Sequence, residues 1–273
     1  MDLQIFDVEH GACALLTADT GQRLMIDCGH NSDTGWYPGD YMAARGIRYL
    51  EGLCISNYDQ DHVSGFPNLV DQLHIQTICR NTSVTPDVIW RLKSEDGIVS
   101  TAMTRFVRAI THDFGLPGVA APLQIPGVGY RLYRNPYPVF DDENNLSLVM
   151  ILTFGGCNFL FTGDLESAGW EYLLRTEPTF RADVTATHVL MAAHHGRENG
   201  ICTDLFDVYG CAPQLVVISD DYHQYDTQQT TAYYRSKCTG VADFRGQGRR
   251  HVLTTRRDGN ITFAASFNGV HAS

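Results

Sequence analysis

The run Ser56-Asn57-Tyr58-Asp59-Gln60-Asp61-His62 constrains the fold of this chain more than any other stretch. It follows the apolar, strand-like Leu53-Cys54-Ile55 and leads into Val63-Ser64-Gly65-Phe66-Pro67. Two carboxylates, two carboxamides and an imidazole therefore project from a strand-to-helix turn. Oxygen and imidazole donors crowded at such a turn suit one divalent cation or two. The chemistry expected of the chain is metal-dependent.

With 273 residues and 44% hydrophobic content, the chain can bury a substantial core, and one domain over residues 1–273 is expected. The net charge of -11 argues against charge-driven binding to nucleic acid or to a membrane, so a polyanionic substrate needs metal ions or local arginines to hold it. Met1-Asp2-Leu3-Gln4-Ile5 has no basic flank before a long apolar run, and no window approaches the roughly 18 apolar residues of a membrane span. A cytoplasmic protein without a membrane partner is expected. The eight cysteines form no Cys-x-x-Cys pair and several sit in apolar runs, which favours reduced, buried thiols over disulfides or a zinc knuckle.

Strand-like runs at residues 3–8, 13–18 and 23–27, punctuated by Gly11 and Thr20-Gly21, predict a meander. A short helix at 41–48, a buried strand at 52–56, a helix at 63–73 and a strand at 75–79 follow in a β-α-β rhythm. Residues 82–123 differ, with helical spacing at 87–93 and 101–112 before a Pro/Gly-rich stretch. They read as an inserted helical segment that packs or covers without catalytic residues. Strands return at 130–134, 147–154 and 158–161, the last pair joined through Gly155-Gly156 as a hairpin. Helices at 165–174 and 227–237, strands at 189–192 and 215–219, and a closing hairpin of 251–255 with 260–264 complete an α/β two-sheet sandwich.

In three places a strand end or its turn carries groups able to bind metal: Asp59-Gln60-Asp61-His62, Gly163-Asp164 and His194-His195-Gly196. Sites in open α/β sheets lie beyond the carboxyl ends of strands, so these three are expected to converge. Singly, each has a plainer explanation as a hydrogen-bonded histidine or a Gly-Asp turn. Their combination in this order is far more specific.

On these residues the sequence resembles the metallo-β-lactamase fold superfamily and, within it, the soluble hydrolase domain of ComEC-type competence proteins. The resemblance also rests on Phe6-Asp7-Val8-Glu9-His10-Gly11-Ala12, Met25-Ile26-Asp27-Cys28-Gly29, Asn144-Asn145-Leu146-Ser147-Leu148-Val149, Phe161-Thr162-Gly163-Asp164 and the closing segment 252–261, and so spans nearly the whole chain. Residues 82–123 fall outside it. It implies an αββα sandwich in which Asp61, His62 and one of His194 or His195 hold a first metal, zinc or manganese, with His194 favoured as nearest the strand end. Asp164 bridges to a second, oxygen-rich site with Asp59, Asn57 and Asn145, suited to manganese or magnesium. Asn57 stands where a histidine is usual, which makes that second site the weaker one.

The resemblance further implies phosphodiester substrates, hence a nuclease or phosphodiesterase. A metal-acidified water attacks the ester, Asp59 or Asp61 orients it, and the histidine left over, His195, meets a phosphate or protonates the leaving oxygen. Stand-alone relatives of this kind sit in bacterial operons of varied function, phage defence included, which implies a protein partner encoded nearby. Around this core, His10 and His30 flank turns that line the cleft, where either could substitute for a missing ligand, against the plainer reading as solvent-exposed turn histidines. Asp226 in Tyr222-His223-Gln224-Tyr225-Asp226 is either a helix N-cap or a cleft residue. Arg245, Arg249, Arg250, Arg256 and Arg257 form the densest basic patch, with Arg256 and Arg257 as phosphate-binding candidates against the alternative of solvated hairpin charges. Two rival readings stay open: a degenerate member that binds or regulates, and a hydrolase of a thioester, lactone or β-lactam.

Overall fold

The computed structural model describes every residue except 96, 115–122, 223–225, 243 and 267–268. Two sheets face each other. The first runs, in spatial order, Gly269–Ala272, Ile261–Ser266, Asp2–Ile5, Cys13–Thr17, Arg23–Cys28, Gly52–Cys54 and Ile78–Cys79. The second runs Val252–Thr254, Leu215–Ile218, Val189–Met191, Cys157–Phe161, Leu148–Phe154 and Gly129–Arg134. A small two-stranded pair, Tyr49–Leu50 with His74–Ile75, lies apart from both.

Period-two alternation decides which side chains enter the sandwich. Leu3, Ile5, Ala14, Leu16, Leu24 and Ile26 point inward to meet Leu148, Met150, Leu152, Phe159, Phe161 and Val217 of the opposite sheet. The alternate residues Leu15, Met25 and Leu53 point outward onto Phe66, Leu69, Met103 and Phe106. On the far side, Val149, Ile151, Leu160, Leu190 and Val216 pack under Trp170, Leu173, Phe180 and Val184. The result is the expected αββα layering. Each fully buried Leu, Ile or Phe in these layers is worth about 1.5–3 kcal/mol of transfer free energy.

Several elements differ from their sequence expectation. The helix anticipated over 63–73 is two helices, Gln60–Val63 and Phe66–Gln72, broken at Gly65. There a Cβ would lie 2.5 Å from the Cys28 carbonyl oxygen, which accepts from Gly65 N at 2.8 Å. The closing hairpin does not form. Val252–Thr254 belongs to the second sheet and Ile261–Ser266 to the first, with a helical turn, Thr255–Asp258, carrying the chain across. Helix Pro178–Thr185 had no counterpart in the sequence reading. Within residues 82–123 the chain forms Pro86–Glu95 and Thr101–His112, the latter capped by the Ser100 hydroxyl, which accepts from Met103 N at 3.1 Å. Most of the Pro/Gly-rich stretch after them lies outside the described residues. No described helix is long and apolar enough to cross a membrane.

The parallel strands matter most for function. Arg23–Cys28 pairs parallel with Gly52–Cys54, and Cys157–Phe161, Val189–Met191, Leu215–Ile218 and Val252–Thr254 pair parallel in succession. Their carboxyl ends therefore open on one edge of the sandwich, where sites of α/β folds are built.

Candidate metal centre

At that edge Asp61, His62, Asp164 and His195 offer ligand atoms that all lie within 4.8 Å of one another. His62 Nε2 is 3.0 Å from Asp164 Oδ1, His195 Nε2 is 3.1 Å from Asp61 Oδ2, and His195 Nε2 is 3.5 Å from Asp164 Oδ1. Donors about 2.0–2.1 Å from a tetrahedral ion stand about 3.3–3.4 Å apart, so these three edges put the groups within reach of one ion. The buried His195 Nε2 finds no well-formed hydrogen bond within the chain. The site is thus able to bind a divalent cation.

Each ligand is fixed from behind. His62 Nδ1 lies 2.9 Å from Asp27 Oδ2 and 3.2 Å from Ser56 Oγ, while Ser56 N donates to Asp27 Oδ1 at 2.7 Å. That aims Nε2 at the cluster. His195 Nδ1 lies 3.0 Å from the Ser219 carbonyl, which accepts its proton and turns Nε2 inward. Asp164 N donates to Ser147 Oγ at 3.0 Å. Gly163, at φ +53, leaves room for Ser147 Oγ, 2.9 Å from where a Cβ would stand. The Asp61 carbonyl nests against Gly11 and Gly29, whose added Cβ atoms would approach it to 2.6 and 2.5 Å. The outer partners Asp27, Ser56 and Ser219 were not assigned from sequence, although Asp27 lies within a segment that carried the resemblance. Asp27→Asn is expected to weaken metal binding roughly 10–100-fold, as loss of outer-shell partners does, measured by calorimetric titration. An unchanged affinity would show that His62 holds its ring without Asp27.

The charges of the cluster brace one another. Burial pushes Asp164 upward, but His62 and His195 outweigh it and hold the carboxyl well below its ordinary value. Asp61 is lowered in the same way against its own burial, by His62 and His195. Burial depresses the two imidazoles, yet the facing carboxylates prevail: His62 rises well above its usual value and His195 to about 10.

The two histidines exchange the places expected for them. His195, not His194, joins the cluster. His194 and His195 both adopt left-handed backbone, at φ 50° and 52°, followed by Gly196 at φ 74°. This succession turns His195 back over Asp61 and Asp164. His194 instead stands with Nδ1 3.5 Å from Glu166 Oε1 and with Arg197 Nη1 3.3 Å from its Nε2. Burial lowers its pKa, against the pull of Asp164.

The second, oxygen-rich set is not assembled. Asn57 is fully buried; its Oδ1 accepts from Asp59 N at 2.7 Å and its Nδ2 donates to Ser147 Oγ at 3.3 Å. Asn145 Oδ1 accepts from Gly169 N at 2.8 Å, and its Nδ2 donates to Asp142 Oδ2 at 3.2 Å. Both carboxamides are spent on the scaffold. Asp59 lies outside the cluster and pairs with Lys93, whose Nζ is 2.6 Å from Asp59 Oδ1 and 3.0 Å from Glu143 Oε1. Burial opposes the Lys93 charge, but Asp59 and Glu143 overcome it and raise its pKa. Lys93 comes from the helical segment read as chemically silent, and neither it nor Glu143 was foreseen.

A cavity of about 510 Å³ opens over this region, lined by Asp59, Asp61, Lys93, Asp164, His194, His195 and Arg197, with Val99, Ser100 and Met103 on the helical side. The remaining candidates lie elsewhere. His30 stacks on Tyr37 with ring centroids 4.6 Å apart and its Nδ1 is 2.7 Å from Ser64 Oγ, so it serves its turn. Asp226 is exposed, opens the turn Asp226–Gln228 and accepts from Gln229 Nε2 at 3.1 Å; the N-cap of the following helix is Thr230. Residues 223–225 beside it lie outside the described residues. Arg256 is paired with Asp220, a carboxyl that burial lifts to about 7 against the pull of Arg256, while Arg257 is exposed. Neither lines the cavity. Arg245, Arg249 and Arg250 pin backbone carbonyls or Asp258, so the basic patch braces the chain terminus and Arg197 is the arginine at the cavity.

Among known proteins, the family model of the metallo-beta-lactamase superfamily matches residues 7–188. Sequence relatives include ComE operon protein 3 of Bacillus subtilis (strain 168), 26% identical over 183 residues, which cover 66% of this chain and 21% of that protein. Competence protein ComA of Neisseria gonorrhoeae is 23% identical over 271 residues, covering 98% of this chain and 33% of that protein. The chain thus spans a third or less of the length of these relatives. Among solved structures, the metallo-beta-lactamase fold protein YhfI of Bacillus subtilis superposes with a TM-score of 0.48 at 13% identity, covering 100% of this chain and 99% of that one.

Proposed function

This chain belongs to the metallo-β-lactamase superfamily, and we propose that it is a phosphodiesterase or nuclease that works with a divalent cation held by Asp61, His62, Asp164 and His195. The observation that carries the reading is the clustered Asp and His ligand set beside a cavity that also presents Lys93 and Arg197. The similarity to competence proteins supports it. A cation bound there supplies Lewis acidity and lowers the pKa of water to near neutrality.

The chain's own groups do the rest. Asp61 is ionised, 38% exposed to the cavity and placed to accept a proton from attacking water. Arg197, braced against His194 Nε2, offers a guanidinium to an anionic diester oxygen. His62 and His195, fixed through their Nδ1 atoms, keep the ligand geometry rigid as charge develops. An overall charge of -11 disfavours long polyanions and favours a short or well-clamped diester.

The test is turnover of single-stranded DNA, RNA, duplex DNA and cyclic dinucleotides with manganese, magnesium or zinc. Activity in at least one combination, reduced by about 10³-fold or more in Asp61→Ala, is expected from loss of both a ligand and a base. No turnover of any diester, with a lactone or thioester cleaved instead, would move the chain to another substrate class. No turnover at all, with less than one metal per chain, would make it a binding module.

A further inference from the structure

Asp59, expected to hold a second cation, instead faces a cation of the chain's own. The Lys93 ammonium lies between Asp59 and Glu143, at 2.6 and 3.0 Å. It is 15% exposed, and its cavity wall is continuous with the metal cluster. We propose that Lys93 stands in permanently for a second metal ion, so that the chain works with a single one. The proposal rests on the reading that Asp61, His62, Asp164 and His195 hold the first.

Three features support it. The neighbouring amides are engaged in the scaffold: the Asn57 and Asn145 oxygens accept from the backbone at Asp59 and Gly169, so a second ion would depend on Asp59, Glu143 and the carboxylate of Asp164 shared with the first site. A hydrated divalent ion can sit on one or two carboxylates with waters completing its shell, and the ammonium seated between Asp59 and Glu143 takes the space such an ion would need. The ammonium already offsets one of the two carboxylate charges. A metal entering there would have to expel a lysine held by two close, partly buried pairs and leave it without them. The ammonium is also firmly delivered, because helix Pro86–Glu95 buries Ile89, one turn before Lys93, and the adjacent Leu92 in the outer core.

The inference explains the departure at Asn57. A histidine there would contribute a ligand to a second metal. With a lysine supplying the charge, the position is free to become a scaffold amide that ties Asp59 N to Ser147 Oγ. The loss of the ligand and the gain of the ammonium are then one exchange rather than decay of a site.

Manganese titration of the purified chain, followed by metal analysis and electron paramagnetic resonance, tests this without reference to activity. Wild type is expected to saturate at one equivalent with a mononuclear spectrum. Lys93→Met, which keeps the length of the side chain and removes its charge, is expected to take a second equivalent and show an exchange-coupled spectrum. Lys93→Arg should remain at one. Two equivalents in wild type, or a folded Lys93→Met that stays at one, would overturn the proposal. Should Lys93→Met fail to fold by circular dichroism, Asp59→Asn decides: unchanged binding of the single ion supports a partner role for Asp59, and loss of metal refutes it. Wild type that binds no metal would instead defeat the reading of the first site, a result distinct from binding two.

Discussion

Replacing His195 by alanine is expected to lower metal affinity by more than the roughly 10–100-fold that loss of an outer-shell partner costs, whereas His194→Ala should change it by less than about tenfold, about 1.4 kcal/mol. The asymmetry follows from the backbone. Two consecutive non-glycine residues in the left-handed region, at φ 50° and 52°, each cost about 1–2 kcal/mol, and such strain persists where the surroundings over-determine it. Here His194 N donates to the Gly163 carbonyl at 3.1 Å and the Ser219 carbonyl takes the His195 Nδ1 proton. The strained turn is thereby tied to both neighbouring strand ends, and His195 Nε2 is delivered to Asp61 and Asp164. Competition titration against a chelator reads both variants, with circular dichroism as the check on folding. The opposite ranking, with His194→Ala the damaging change, would return the ligand role to the residue nearer the strand.

The sequence made legible what depends on period and order. Strand-like apolar runs at 3–8, 13–18 and 23–27 announced buried strands, and the set Leu3, Ile5, Leu16, Leu24 and Ile26 meets the second sheet while Leu15 and Met25 pack against the helices. Ligand-bearing strand ends announced the edge at which they meet. What stayed hidden depends on backbone torsion and on distant partners. Nothing in His194-His195-Gly196 besides the glycine signals a left-handed run, so nearness to the strand pointed to His194 whereas His195 sits in the cluster. Lys93 lies 34 residues from Asp59, near the end of an amphipathic helix, where a lysine ordinarily faces solvent. Asn57 was readable as a departure, but not its compensation. The closing segment misled because Asp258-Gly259 is a good hairpin turn. In the fold Asp258 instead accepts from Thr254 N at 3.0 Å and from Arg250, closing a helical turn that sends the next strand to the other sheet.

Metal affinity should rise steeply with pH, by up to about a hundredfold per unit around neutrality, because each of the two imidazoles must shed a proton to become a ligand. In the chain itself His195 titrates near 10 and His62 is also raised, both held charged by Asp61 and Asp164 against the effect of burial. The same shifts fix how the chain's own stability responds. Raised imidazoles contribute fully below the unfolded histidine value of about 6.5, and that contribution is lost as pH climbs through the folded value near 10. Depressed carboxylates contribute above the unfolded value of about 3.9, and lose it as pH falls through their folded values. Without metal, the cluster therefore stabilises most between about pH 4 and 6.5, the interval in which a cation competes least well against protons. Thermal unfolding with excess manganese and with chelator, from pH 5.5 to 8.5, should show a gap that widens as pH rises. Calorimetry in buffers of different ionisation enthalpy should report close to two protons released at pH 7. A gap independent of pH, or binding without proton release, would mean that the imidazoles are neutral before the cation arrives and that the carboxylates of Asp61 and Asp164 do not hold them charged.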